Sequence, residues 1–186
     1  MRKVIFQMMV SVDGYFEGPN HELDWHLVDA EFNAYAAAFL DSLDALLFGR
    51  VTYQLMASYW PTSMANDDDP IIAGKMNALQ KIVFSKSLDK VEWQNSRLVK
   101  DNFAAEVSKL KQQPGKDIAI FGSSDLAVEL SEHGLIDEYR ILVAPIALGN
   151  GKPLFKGLKS RLKLKFLRAK TFKSGVVMLE YAPAGK

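Results

Sequence analysis

The chain has 186 residues, 48% of them hydrophobic, with 23 basic against 22 acidic side chains and no cysteine. That length buries one sizeable core and is short for two, so a single domain over 1–186 is expected. A net charge of +1 offers no overall field for nucleic acid or an anionic membrane, and the lack of cysteine excludes disulfides, thiolate metal sites and cysteine nucleophiles while suiting a reducing cytoplasm.

The opening run Val4-Ile5-Phe6-Gln7-Met8-Met9-Val10 is too short and too interrupted for a signal core or a membrane span, and predicts a buried strand over 3–11. A loop rich in glycine, proline and asparagine follows to about residue 28, long enough to suggest a functional role. Phe32, Tyr35, Ala36, Phe39, Leu40 and Leu43 then recur at helical spacing, predicting a core-facing helix over 29–43. Ala45-Leu46-Leu47-Phe48 reads as a buried strand ending at Gly49-Arg50, with a short helix over 52–57.

Residues 58–74, which include Asp67-Asp68-Asp69-Pro70, read as a mobile surface loop whose length and polarity would suit a lid. Its three consecutive carboxylates read as solvated groups rather than a metal site. Strands are predicted over 81–85, 96–99 and 118–121, and helices over 102–111 and 123–133. A long strand over 136–145 shows the alternation Asp137, Tyr139, Ile141, Val143. Residues 162–172 and 176–181 form a hairpin, which sets antiparallel strands beside a parallel sheet. Alternating basic residues at 161, 163 and 165 read first as protection of an exposed sheet edge and second as an anion site. The order of elements is that of an α/β fold with helices on both faces of its sheet.

Chemistry concentrates where strands end. Gly122-Ser123-Ser124 joins a strand directly to a helix, whose unpaired N–H groups and partial positive charge suit a phosphate. Ser124 or Asp125 reads equally well as a simple helix cap. Gly49-Arg50-Val51-Thr52 repeats the arrangement, and Ser85-Lys86 closes a third strand with the donors that a ribose 2′-phosphate would select. The dinucleotide fingerprint G-x-G-x-x-G is absent, as are a Ser-His-Asp arrangement and a His-x-x-x-His pair.

Taken in order, Ser11-Val12-Asp13-Gly14-Tyr15, Leu47-Phe48-Gly49-Arg50-Val51-Thr52-Tyr53, Phe84-Ser85-Lys86-Ser87-Leu88, Phe121-Gly122-Ser123-Ser124-Asp125-Leu126, Gly134-Leu135-Ile136-Asp137-Glu138 and the run from Pro145 to Phe155 span nearly the whole chain. This set resembles the bacterial dihydrofolate-reductase-like proteins, relatives of the reductase domain of the bifunctional riboflavin-biosynthesis deaminase/reductase. The resemblance implies a three-layer sandwich with a central, mostly parallel mixed sheet. It also implies an NADPH-dependent reductase that passes hydride to a pterin- or pyrimidine-like ring, as in 5-amino-6-(5-phosphoribosylamino)uracil reductase.

Carried onto this chain, Gly49, Arg50 and Thr52 would meet the cofactor phosphates, Ser85 and Lys86 the 2′-phosphate, and Gly122, Ser123, Ser124 and Leu126 the pyrophosphate and nicotinamide side. Asp13 and Gly14 would lie in the loop between nicotinamide and substrate. In true dihydrofolate reductases a carboxylate early in the first helix orients the pterin. Asp29, Glu31 or Asn33 could stand there, so Asp13 and Glu31 are the candidate catalytic acids. Asp24 and Trp25, beside His26, are candidates for contact with a planar ring, with Trp25 reading also as a hydrophobic anchor. Riboflavin-pathway reductases usually carry an acid just before the strand-end glycine, where this chain has Ile120-Phe121. A homodimer is expected from the resemblance. Two other readings are kept: a non-catalytic nucleotide-binding or interaction protein, and a true dihydrofolate reductase.

Overall fold

Every residue from Val4 to Val10 in the first strand is apolar except Gln7, so both faces of that strand must be covered. In the computed structural model, which describes residues 1–185, β1 (Val4–Ser11) lies inside an eight-stranded sheet. The other strands of that sheet are β3 (Leu43–Gly49), β4 (Gln80–Phe84), β5 (Ser96–Val99), β6 (Asp117–Phe121), β7 (Glu138–Ala144), β9 (Leu164–Thr171) and β10 (Val177–Pro183). They run in the order β5-β4-β3-β6-β1-β7-β10-β9. All pairs from β5 to β7 are parallel, while β10 runs antiparallel to both of its neighbours, β7 and β9. This is the α/β architecture with a mixed sheet that the element order implies.

The pleat sorts β1 into two faces. Val4, Phe6, Met8 and Val10 pack with α5 (Phe103–Gln112) and α6 (Ser124–Glu132), as Val107, Leu110 and Leu130 join the same core. Ile5 faces the opposite layer, made by α1 (Ala30–Asp41), α2 (Arg50–Tyr59) and α4 (Pro70–Ala78). Gln7 shares that second face and is the one polar side chain within the run.

Most expected elements are present with ends shifted by a few residues. The helix expected over 29–43 stops at Asp41, and Leu43 already begins β3. The stretch 58–74 is different from its expectation. It holds α3 (Ser63–Asp68) and the start of α4, with only short turns between them. The polar composition there is helix-start chemistry. Thr62 accepts from the Ala65 amide, Asp69 accepts from the Ile72 amide, and Pro70 takes the first turn of α4, where its missing N–H is harmless. Asp68 accepts from the Tyr59 hydroxyl at 2.6 Å. Ile72 and Met76 of α4 are buried in the core, so this segment is a wall of the fold and not a loose lid.

The far end of α4 is closed by Lys81, a fully buried lysine in β4. Its ammonium donates to the Met76 and Asn77 carbonyls at 3.1 and 2.8 Å and lies 4.4 Å from the centre of the Trp93 ring. Burial pushes that amine down to about 8. A second, two-stranded sheet pairs β2 (Tyr15–Glu17) with β8 (Lys152–Pro153) and brings the first loop against the segment after β7. Sequence reading gave no hint of this pairing. Among the described residues, no helix is long and apolar enough to cross a membrane.

Candidate functional site

The carboxyl ends of β1, β3, β4, β6 and β7 open on one edge of the sheet, where α/β folds bind their ligands. Two of these strands run straight into helices, β3 into α2 and β6 into α6. Neither helix start is capped by a side chain: Gly49 and Ser123 stand at the two N-caps without a side-chain capping bond. The first-turn amides of both helices are thus left for an anion. Neither Ser124 nor Asp125 is the cap of α6, since Ser124 is already helical and Asp125 turns outward toward Lys152 at 3.5 Å.

The two helix starts are tied to each other. The Gly49 amide donates to Ser123 Oγ at 2.9 Å, and the Ser123 amide donates to Thr52 Oγ1 at 2.9 Å. Gly122 and Ser123 are both left-handed, at φ +60 and +54, which turns the chain sharply between β6 and α6. A non-glycine residue held there stores on the order of 1–2 kcal/mol of strain, an arrangement met most often at functional sites. Beside this link lies a groove of about 320 Å³ lined by Gly49, Arg50, Thr52, Ser123, Ser124 and Leu126. Lys152 reaches it from β8, while Asp125 and Glu129 on α6 make its far wall acidic.

Six of the nine residues nominated from sequence for the cofactor therefore line one groove. Gly122 lines the neighbouring cleft instead. Ser85 and Lys86 lie outside both linings, although the register Gly49↔Phe84 sets them beside the groove's end. The Ser85 hydroxyl is occupied, accepting from the Ser87 and Leu88 amides at 3.2 and 3.1 Å. Lys86 is exposed and forms no ion pair among the described residues.

A second cavity, of about 350 Å³, opens between the β1 face of the sheet and α1, α2 and α4. Its wall is mainly apolar, with Phe32, Phe39, Met56, Trp60 and Met76 contributing. Phe16, Glu17, Val51, Thr52 and Ser123 line both the cleft and the groove, so the two spaces meet along a shared wall. The β2–β8 pairing holds Phe16 and Glu17 in that wall. Gly151 lies so close to the Glu17 carbonyl that any side chain at 151 would run into it.

The residues nominated for substrate and catalysis fall elsewhere. Glu31 faces the C-terminal hairpin, where it accepts from the Lys173 amide at 2.9 Å and pairs with Lys170 at 3.8 Å. Asp29 caps α1 by accepting from the Phe32 amide. Of the three positions considered on this helix, it is Asn33 that lines the cleft. Trp25 is an anchor: 9% exposed, it donates to the Glu22 carbonyl at 3.1 Å and packs with the core beneath β10. Asp24 is exposed beside it, and Gly14 lies on the other side of β1.

Asp13 acts as a clamp. It accepts from Ser11 Oγ at 2.6 Å and from the Leu148 and Gly149 amides at 3.1 and 2.7 Å, joining the first loop to the segment after β7. The Ser11 hydroxyl first, and the Gly149 and Leu148 amides after it, hold the carboxyl down at about 2 against an ordinary 3.8. Because the folded value is the lower one, the stability gained is present above pH 3.8 and lost as pH falls through 2. A carboxyl ¹³C titration should place the Asp13 midpoint near 2; a midpoint at 3.8 or above would remove the clamp.

Glu17 and Gln7 were not singled out from sequence. Glu17 is the carboxylate at the junction, 3.1 Å from His21 Nδ1. The signal for Gln7 was its place as a lone amide in an apolar strand. His26 also lines the cleft, and burial pushes its imidazole down from the ordinary histidine value.

A mixed sheet in this strand order with helices on both faces is the fold of the dihydrofolate-reductase-like proteins. The fold superposes with a TM-score of 0.66 on dihydrofolate reductase from Enterococcus faecalis in complex with NADP(H) and RAB-propyl, at 14% identity and covering 98% of this chain and 97% of that one. A Shewanella sp. PV-4 protein assigned provisionally to riboflavin biosynthesis gives 0.76, at 23% identity and covering 98% and 99% of the two chains. In sequence, residues 2–178 match the model of the RibD C-terminal domain, and the chain belongs to that family. It is 36% identical over 180 residues to the uncharacterized protein YyaP of Bacillus subtilis (strain 168), covering 97% of this chain and 94% of that one.

Proposed function

We propose that the protein is an NADPH-dependent reductase that binds its nucleotide in the groove and a planar, unsaturated acceptor, the class to which pterins and pyrimidines belong, in the cleft. The observation that carries this reading is the shared wall of Phe16, Glu17, Val51, Thr52 and Ser123, which would set a nicotinamide against a ring in the neighbouring space. The residues present fit the nucleotide. Two uncapped helix starts and Arg50 line the groove and would meet a pyrophosphate, and Lys86, exposed beside the groove's end, would meet a 2′-phosphate.

When bound, NADPH supplies a hydride, the hydrogen together with both electrons of its C–H bond. The acceptor takes these two electrons and needs one proton to complete the reduction. The protein's part is to hold the two rings face to face and to keep water out of an apolar space. Glu17, at the junction, is the carboxyl placed to pass the proton, from His21 or from solvent on its exposed side.

Titrating NADPH and NADH into the purified protein, followed by nicotinamide fluorescence, tests the reading. NADPH should bind, NADH should bind at least roughly tenfold more weakly, and the Arg50→Ala, Lys86→Ala double variant should lose most of the difference. Absence of binding by either nucleotide would leave a non-catalytic interaction protein as the better reading.

We further propose that two copies pair through β9, the last strand of the sheet. Among the described residues its outer edge has no partner strand, and Phe166 and Leu167 on it are 56% and 45% exposed. Sedimentation at the 20.8 kDa of one chain would overturn the pairing.

A further inference from the structure

Resting on the reductase reading, we infer that the cleft selects an uncharged, flat, largely apolar acceptor whose carbonyl or ring nitrogen is read by the side-chain amide of Gln7. Charge is the first ground. Among the described residues no lysine or arginine lines the cleft, whereas the groove beside it has Arg50 and Lys152. A phosphate or a glutamate tail brought into such a space would lose its hydration with no cation to replace it, a penalty of several kcal/mol. The position on α1 that could hold a pterin-orienting carboxylate is taken by Asn33, whose amide is neutral.

The remaining polar groups narrow the choice. Thr52 and Ser123 already bond to each other's segment. Glu17 pairs with His21 at the groove side, and burial disfavours the charged form of His26, whose Nε2 has no partner among the described residues. Gln7, Asn33 and the unpartnered His26 Nε2 are the groups left to meet a ligand, and of these the Gln7 amide is the one held in place by a hydrogen bond at its other end.

The orientation of Gln7 is set by its bond to Tyr35. Arg140 Nη1 donates to the Tyr35 hydroxyl at 3.3 Å, because a guanidinium can only donate. The same hydroxyl gives its single hydrogen to the Gln7 carbonyl oxygen Oε1, 2.5 Å away. The NH₂ end is therefore the end left for the cavity. A fixed donor in an apolar cleft reads an acceptor atom and penalises a ligand that lacks one, since the amide would then be buried unpaired.

The test uses the full-length protein and isothermal titration calorimetry, so that no turnover is needed. The probes are menadione and cinnamaldehyde as neutral carbonyl compounds, and dihydrofolate and uridine monophosphate as anionic rings. With no cysteine in the chain, the quinone meets no thiol to arylate. At least one neutral probe should saturate the cleft, and both anionic probes should bind about 100-fold more weakly than it. Gln7→Leu should weaken the neutral probe about tenfold without changing NADPH affinity. Asn33→Lys should improve uridine monophosphate binding and serves if Gln7→Leu does not fold. Binding of either anion as tight as that of the neutral probes, or no binding by either neutral probe, overturns the inference. Normal NADPH binding beside that result leaves the reductase reading standing; neutral-probe binding without NADPH binding sinks the reductase reading and keeps the cleft assignment.

Discussion

Gly122→Ala should weaken NADPH binding at least roughly tenfold, about 1.4 kcal/mol, while the protein stays folded. The glycine has φ +60, and a Cβ there would sit 2.9 Å from Thr52 Cγ2 and 3.1 Å from Thr52 Oγ1. Thr52 would have to move, and with it the oxygen that accepts from the Ser123 amide and ties α2 to α6. Left-handed backbone at an alanine adds about 1–2 kcal/mol of strain, which in a chain this long lowers Tm by a few degrees. Gly134→Ala separates strain from geometry. Its φ is +66, yet a Cβ there meets nothing within 4 Å, so it should lose similar stability and keep its affinity for NADPH. Equal NADPH affinity in wild type and Gly122→Ala would show that the link between the two helix starts does not shape the groove.

The largest expected loss of stability is at Arg140. Its side chain is 12% exposed, donates to Glu138 at 2.7 Å, lies 4.0 Å from Glu180 and sits 4.2 Å from the centre of the Phe39 ring. Arg140→Met keeps the volume but leaves Glu138 without its near guanidinium and Glu180 dependent on Arg168, at 2.9 Å. Removing one partner from a buried ionic group destabilises by about 3–5 kcal/mol, here on the order of 10 °C in Tm. Urea unfolding should show the midpoint falling with an unchanged slope. Adding Glu138→Gln should return part of the loss, because it removes the orphaned charge. A change below 1 kcal/mol would mean that Arg168 at Glu180, and Lys3 with solvent at Glu138, already satisfy the two carboxylates.

The two halves of the site differed in how far they could be read from sequence, and the difference is physical. A strand ending in glycine and entering a helix is a local event, so Gly49-Arg50 and Gly122-Ser123-Ser124 were visible as short motifs, and they come together because β3 and β6 are neighbours. The cleft is not local. Gln7, Glu17, Asn33 and Met76 arrive from a strand, a miniature sheet and two helices, and no spacing in the chain announces that they share a cavity. Composition also misled in one place. Asp69-Pro70 reads as a loop when counted by polarity and as a helix start when read by position, which is why α4 was hidden. Asp13 and Glu31 were reasonable acids by type, but each is already held by backbone amides from the far end of the chain.

The centre of the sheet is closed by strands that come late. β1 pairs with β6 and β7, in the registers Val4↔Ile118 and Ile5↔Glu138, so its nearest partners lie more than a hundred residues downstream. At about 5–20 residues per second of synthesis, the apolar run at the start of the chain waits on the order of ten seconds for a neighbour. Contacts of such long sequence separation also make folding slow once the chain is complete. Newly made protein therefore exposes an apolar strand for longer than a chain whose neighbouring strands follow one another.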